Sequence, residues 1–190
     1  DDVVFLNGIK PDSLENRAKI LKLREADSEA IHAHRFLEMK RAERNELVKF
    51  KKLVYIYHNQ IDTIGDKPTT ENQVFQACKT SIEEIKNLVR ILVNEFSATN
   101  VYITSDHGFI YTHKPLKAYD QLSIDVEKDK ETIVNRRFII SENAEDDDRF
   151  HKVQLKGIGS DYYLIAPKQY IRFKAAGGGS NYVHGGLSIQ

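Results

Sequence analysis

Asp106-His107-Gly108 places a carboxylate and an imidazole side by side, directly after the apolar run Val101-Tyr102-Ile103-Thr104. A carboxylate oxygen and an imidazole nitrogen turned together suit a divalent cation. Zinc takes such a mixed set and manganese tolerates it. Gly108 would let the backbone turn sharply and approach closely. The tripeptide also occurs as an ordinary turn. A second polar cluster, Asp62-Thr63-Ile64-Gly65-Asp66, sets two carboxylates around a glycine. They could converge on one ion if the backbone turns, although Asp-rich loops with glycine are commonly plain turns. His184-Gly185-Gly186 follows Gly177-Gly178-Gly179-Ser180. Glycines this dense cost conformational entropy unless backbone must approach something. The segment is therefore either a flexible loop or a bed that sets His184 over an anion or a metal.

Lys168, Tyr170, Arg172 and Lys174 alternate along an expected strand, which gives one basic face while Ile171 and Phe173 turn to the core. Such a face suits phosphate contacts, and equally an open solvated surface. His32, His34, His58, His113 and His151 are scattered and pair with no second ligand at a telling spacing. His58 lies at a strand end beside Asp62. No Gly-x-x-x-x-Gly-Lys phosphate loop, Gly-x-Ser-x-Gly elbow or Cys/His nucleophile pair is present in the sequence.

These clusters need elements to hold them. Asp12 followed by Glu15 predicts a helix cap, with the helix running to about Glu25. Apolar spacing predicts a helix over Phe36 to Phe50, with Phe36, Met39, Leu47 and Phe50 near one face. Residues 30–34 are ambiguous. Leu53 to Tyr57 has the composition of a buried strand, and a loop is expected from His58 to Thr70. Thr70 with Gln73 predicts a second capping box. The helix after it is the clearest element, with Val74, Ala77, Cys78, Ile82, Ile85, Leu88, Val89, Leu92 and Phe96 at three- and four-residue intervals. Val101 to Thr104 then reads as a second buried strand. Strand, long helix and strand make a βαβ unit with parallel strands, and ligands of open parallel sheets gather beyond the carboxyl ends of the strands. The two acidic clusters follow such ends. After about residue 112 the pattern changes to short β-like runs at Arg137–Ile140, Val153–Leu155, Tyr162–Ile165 and Tyr170–Phe173. An antiparallel insertion is expected there, with the acidic run Glu142 to Asp148 as a solvated loop.

The 190 residues suffice for one domain with a sizeable core, and 41% hydrophobic with 29% charged residues fits a globular chain. Lys+Arg and Asp+Glu both total 28, so there is no domain-wide basic footprint for nucleic acid. Cys78 is the sole cysteine, which excludes a disulfide framework and a thiolate zinc cluster. Any metal site must use Asp, Glu and His. No apolar stretch reaches membrane-span length and no signal peptide opens the chain, so no membrane association and a cytoplasmic location are expected. The start at Asp1 and the Gly-rich stop are those expected of a piece of a longer protein.

Taken together, several segments resemble the PglZ family. They are Tyr55-Ile56-Tyr57-His58-Asn59-Gln60-Ile61-Asp62-Thr63-Ile64-Gly65-Asp66-Lys67, Ile103-Thr104-Ser105-Asp106-His107-Gly108-Phe109, Asn135-Arg136-Arg137-Phe138, Tyr170-Ile171-Arg172-Phe173-Lys174 and Gly178-Gly179-Ser180-Asn181-Tyr182-Val183-His184-Gly185-Gly186. The resemblance runs from about Asp12 onward. PglZ proteins are similar to alkaline phosphatases, nucleotide pyrophosphatases/phosphodiesterases and cofactor-independent phosphoglycerate mutases. The resemblance implies an α/β, parallel-sheet alkaline-phosphatase-like domain, present in part. That domain would be α/β to about residue 112, with a β-rich insertion and closing segment over 113–190 and its N-terminal part missing.

The resemblance also implies a site of two divalent metals, zinc or manganese. Asp106 and His107 match the pair that binds the metal nearer the nucleophile. Asp62 and His184 match ligands of the second metal. Asp66 falls where the phosphodiesterase branch usually has His, and an all-oxygen pair there would favour a harder ion. By charge alone, and not from the resemblance, Arg172 or Lys174 could neutralise a phosphate. No catalytic residue is assigned, because the nucleophile and its companion Asp belong to the upstream part of such domains. The implied activity is metal-dependent phosphoester hydrolysis or phosphoryl transfer on nucleic acid or nucleotide phosphodiesters. The implied setting is a bacterial or archaeal phage-defence system with partner defence proteins, the fragment being inactive alone. Two other readings are a degenerate phosphatase-fold scaffold that docks those partners, and a nucleic-acid-binding module.

Overall fold

The structure, a computed structural model, describes residues 6–114, 116–117, 121–122, 132–142, 146–156, 162–168, 170–175 and 181–185. The chain divides into two units interleaved in sequence. One comprises Asp1–Ile61 and Gln76–Tyr102, the other Asp62–Phe75 and Ile103–Gln190.

In the first unit, helix α1 covers Leu14–Arg24. Its cap is Ser13 rather than the expected Asp12. Ser13 has extended backbone and its Oγ accepts from the Asn16 amide at 3.2 Å. Asp12 instead accepts from the Asn16 side chain. Glu15 in the first turn and Lys22 and Arg24 in the last complement the helix dipole. Strand β1 (Ser28–His32) pairs in parallel with β2 (Leu53–Tyr57), in the register Ser28↔Leu53 to His32↔Tyr57. Residues 30–34 are thus the end of a strand and the start of a helix.

The single helix expected over Phe36 to Phe50 is two helices, α2 (Ala33–Glu38) and α3 (Arg41–Val48). Met39 and Lys40 take extended backbone between them, and the Lys40 amide donates to Glu43 Oε2 at 2.7 Å to start α3. Phe50 does not join the apolar face. It lies past the end of α3 at positive φ and is 84% exposed. The core of this unit gathers Ile31, Ala33, Phe36 and Leu88, with Met39, Leu47, Ile56 and Phe96 packed against it. Phe36 is fully buried and meets Phe96 edge-on.

The long helix is present as α5, Val74–Phe96. A short helix, α4 (Gln60–Gly65), replaces part of the loop expected before it. Thr70 precedes a 3₁₀ turn, Glu71–Gln73, without the expected side-chain cap, because its hydroxyl donates to the Ile64 carbonyl at 2.7 Å. Two further expectations are corrected. β2 is not buried on both sides, since Leu53 and Tyr55 are exposed. Residues 101–104 form no strand among the described residues, and Tyr102 and Ile103 lie open to solvent. A buried strand needs a hydrogen-bonded neighbour, and apolar composition alone cannot supply one. The parallel pair is therefore β1–β2, connected through α2 and α3, not a βαβ unit across α5.

The second unit carries the β-rich part. Strand β3 (Phe109–Tyr111) precedes three short strands, β4 (Gln121–Leu122), β5 (Ile133–Val134) and β6 (Ile139–Ser141). Four more follow, β7 (Phe150–Gln154), β8 (Tyr163–Pro167), β9 (Arg172–Phe173) and β10 (Tyr182–His184). As expected, an antiparallel sheet forms, in the order β5-β6-β8-β7. β4 pairs in parallel with β9, and β3 antiparallel with β10. Leu122, Ile139, Ile165 and Phe173 form the core here. In the acidic run, Asp146 meets Lys152 at 3.0 Å and Asp147 meets Arg149 at 2.6 Å. Residues 143–145, 177–180 and 186 of the motifs named above lie outside the described residues. Among those described, no helix is long and apolar enough to cross a membrane.

Candidate metal centre

Asp62 lies in α4, and the Asp66 amide closes the following helical turn on the Asp62 carbonyl at 2.9 Å. Gly65 separates the two carboxylates. Its φ is not in the left-handed region, so the backbone there does not call for glycine. Space does. A Cβ on Gly65 would stand 2.5–2.7 Å from three carbons of the Tyr182 ring. That ring is 2% exposed, and its hydroxyl donates to Asp62 Oδ1.

Strand β10 brings the late histidine to the same place. Its antiparallel register sets His184 opposite Phe109, two residues after His107. The His107 and His184 rings consequently stack, with centroids 4.3 Å apart and planes within 8°. His107 Nε2 stands 3.6 Å from Asp62 Oδ2, the carboxylate oxygen that Tyr182 does not engage. One ligand atom from each of Asp62, His107 and His184 lies within 4.8 Å of the others, and all three residues are half-buried. Bonds of about 2.1 Å in a tetrahedral zinc site put neighbouring ligands about 3.4 Å apart. The donor types fit zinc or manganese, and the Asp62–His107 separation already matches.

The other two expected ligands stand beside this trio, outside it. Asp66 Oδ1 is 3.1 Å from His184 Nε2. The Asp106 side chain is 84% exposed, and its Oδ1 accepts from the His107 amide at 3.0 Å. The family resemblance divides these residues between two ligand sets, His107 in one and Asp62 with His184 in the other, and a metal pair about 3.5–4 Å apart would draw both sets into one cluster of this size. His107 stands with Asp62 and His184.

β10 is held from behind by buried polar groups. Glu71, 5% exposed, accepts from the Asn181 amide at 2.9 Å, the Asn181 side chain at 3.1 Å and the Tyr182 amide at 3.2 Å. On the other side of Asn181, Arg172 donates to its carbonyl at 3.0 Å and to Thr112 Oγ1 at 3.2 Å. Arg172 is 4% exposed, so it does not lie on the open basic face expected from strand alternation. Both Arg172 and Phe173 are buried because β9 is covered on both sides. Burial pushes the Arg172 guanidinium down to about 10, with Arg136 and Arg137 adding to the shift and Glu71 opposing it. Lys174 is exposed, and its amide donates to the Leu122 carbonyl. His58 is engaged elsewhere, 2.7 Å from Glu84.

Sequence reasoning passed over Tyr182, Glu71 and the packing role of Gly65. The available signal was the glycine between Asp62 and Asp66 and the tyrosine two residues before His184. Neither says that the two segments touch.

A family model described as the BREX system PglZ alkaline phosphatase-like domain matches residues 1–190. The chain belongs to that family. It is 40% identical, over 98% of its length, to the alkaline phosphatase-like protein PglZ of Bacillus cereus (strain H3081.97). It is 34% identical, over its full length, to the alkaline phosphatase-like protein BrxZ of Escherichia coli O9:H4 (strain HS). In both cases the chain spans 22% of the relative's length.

Proposed function

We propose that this chain supplies part of the metal centre of a phosphoesterase-like protein in a phage-defence system. The observation that carries the reading is the convergence of Asp62, His107 and His184 from three separated segments into one set of donors. Two imidazoles and one carboxylate at this spacing suit a zinc or manganese ion. Asp66 is the carboxylate partner of His184, an arrangement that fixes the orientation of a ligating imidazole. Asp106, open beside His107, provides an oxygen for a second ion.

Metal held by Asp62, His107 and His184, with Asp106 beside them, would supply Lewis-acid polarisation of a phosphoryl group. The residues here bind and orient. Tyr182 fixes the Asp62 carboxylate, and the ring stack sets the spacing of the two imidazoles. Lys174, exposed at the end of β9, is the cation for a phosphate; Arg172 is committed to holding Asn181. No nucleophile is assigned within these residues, so the isolated chain is inert, and turnover requires the remainder of the protein. The substrates are nucleic acid or nucleotide phosphodiesters, and the partners are other proteins of the same defence system.

The test is hydrolysis of bis(p-nitrophenyl) phosphate by the intact protein. Turnover should vanish with a chelator, return with Zn²⁺ or Mn²⁺, and be absent from the isolated chain. Turnover that is indifferent to chelation, or robust in the isolated chain, would overturn the proposal. The rival reading, a scaffold that docks defence proteins, draws on Asp66 standing where a phosphodiesterase has His. It predicts an intact protein that binds no metal.

A further inference from the structure

We infer that Tyr182 is a positioning residue for the metal site, and that Glu71 holds it in place. The inference rests on the metal-ligand reading of Asp62. Three observations meet. The Tyr182 hydroxyl donates to one oxygen of Asp62 and leaves the other toward His107, 3.6 Å away. The ring reaches Asp62 across Gly65, where no side chain has room. The backbone of Asn181 and Tyr182 is fixed by the buried Glu71 carboxylate through both successive amides. Successive β-strand residues face opposite ways, so Tyr182 and His184 share one face. Fixing the start of β10 therefore places the Asp62 anchor and the His184 ligand together.

An unconstrained aspartate can offer a cation one oxygen or two. The phenol takes one lone pair of Oδ1 and leaves Oδ2 the less encumbered oxygen, which biases Asp62 toward one-oxygen binding. The two imidazoles beside it favour zinc over magnesium or calcium, whose shells are oxygen. Outer-shell partners of this kind typically change metal affinity by about 10–100-fold when removed.

The experiment measures Zn²⁺ dissociation constants by chelator competition, and melting temperatures without metal, for the intact protein. Asp62→Ala serves as the reference and should lose one equivalent of Zn²⁺. Tyr182→Phe keeps the ring on Gly65 and removes only the hydroxyl. Its affinity for that equivalent should fall by about 10–100-fold with the metal-free melting temperature preserved. Glu71→Gln, which alters the carboxylate that holds the Asn181 and Tyr182 amides, should weaken the same equivalent; if it fails to fold, Tyr182→Phe carries the test alone. Wild-type affinity in Tyr182→Phe, with the equivalent lost in Asp62→Ala, overturns this inference and leaves the metal reading standing. A loss of affinity accompanied by collapse of the metal-free melting temperature shows a packing role and overturns it too. If Asp62→Ala loses no Zn²⁺, the metal reading falls and the inference falls with it.

Discussion

Gly65→Ala adds one methyl group at the point where α4 meets the Tyr182 ring. Two effects oppose each other. Alanine is the better residue in a helical conformation by about 0.5–1 kcal/mol, and Gly65 has no left-handed φ that would penalise it. Against this, the new Cβ would lie 2.5, 2.6 and 2.7 Å from Tyr182 Cε2, Cδ2 and Cζ. Ordinary carbon contacts are about 3.5–4.0 Å. The ring is 2% exposed and its backbone is tied to Glu71, so it cannot swing into solvent. Overpacking of this kind costs about 1–3 kcal/mol, and three contacts this short put the site at the upper end. The clash wins, with a net loss of about 2 kcal/mol. For a chain of this size that corresponds to a melting temperature about 4–8 °C lower. Differential scanning calorimetry of the metal-free protein measures it. The double variant Gly65→Ala/Tyr182→Ala should recover part of the packing strain and none of the Asp62 hydrogen bond. A melting temperature for Gly65→Ala equal to or above wild type would refute the reasoning.

Other outcomes follow from the same structure. Arg172→Ala removes the donors to Asn181 and Thr112 and should cost about 2–3 kcal/mol of stability by thermal unfolding; a phosphate-contact role would instead leave stability unchanged and weaken phosphate binding. Phe36→Ala empties a fully buried site in the first unit and should cost about 3–5 kcal/mol. Hydrogen bonds from Arg149 hold the Asp147 carboxyl down to about 2. A depressed acid contributes stability above its ordinary range that is lost as pH falls through about 2. Carboxyl NMR should show that titration midpoint in wild type and its return toward 3.8 in Arg149→Ala.

The long helix α5 was legible because nine apolar residues repeat at helical spacing, a local signal that needs no partner. The parallel pair was half legible. Leu53–Tyr57 has strand composition, but its partner, Ser28-Glu29-Ala30-Ile31-His32, reads as polar and ambiguous. Val101–Thr104 looks more like a strand and pairs with nothing among the described residues. Strand pairing is a long-range choice, and composition does not name the neighbour. The candidate site divides the same way. Asp62, His107 and His184 stood out by residue type and family resemblance, and the structure brings them together. Glu71 and Tyr182 carry no such mark, since their contacts join residues more than a hundred positions apart. Arg172 was misplaced because alternation along β9 presumes one open face, and this strand has none.

Metal analysis of the intact protein against Asp62→Ala, His107→Ala and His184→Ala tests the central claim most directly. Each variant should lose the same equivalent of zinc or manganese while remaining folded, because the three side chains furnish one set of donors. Unchanged metal content in all three folded variants would contradict it.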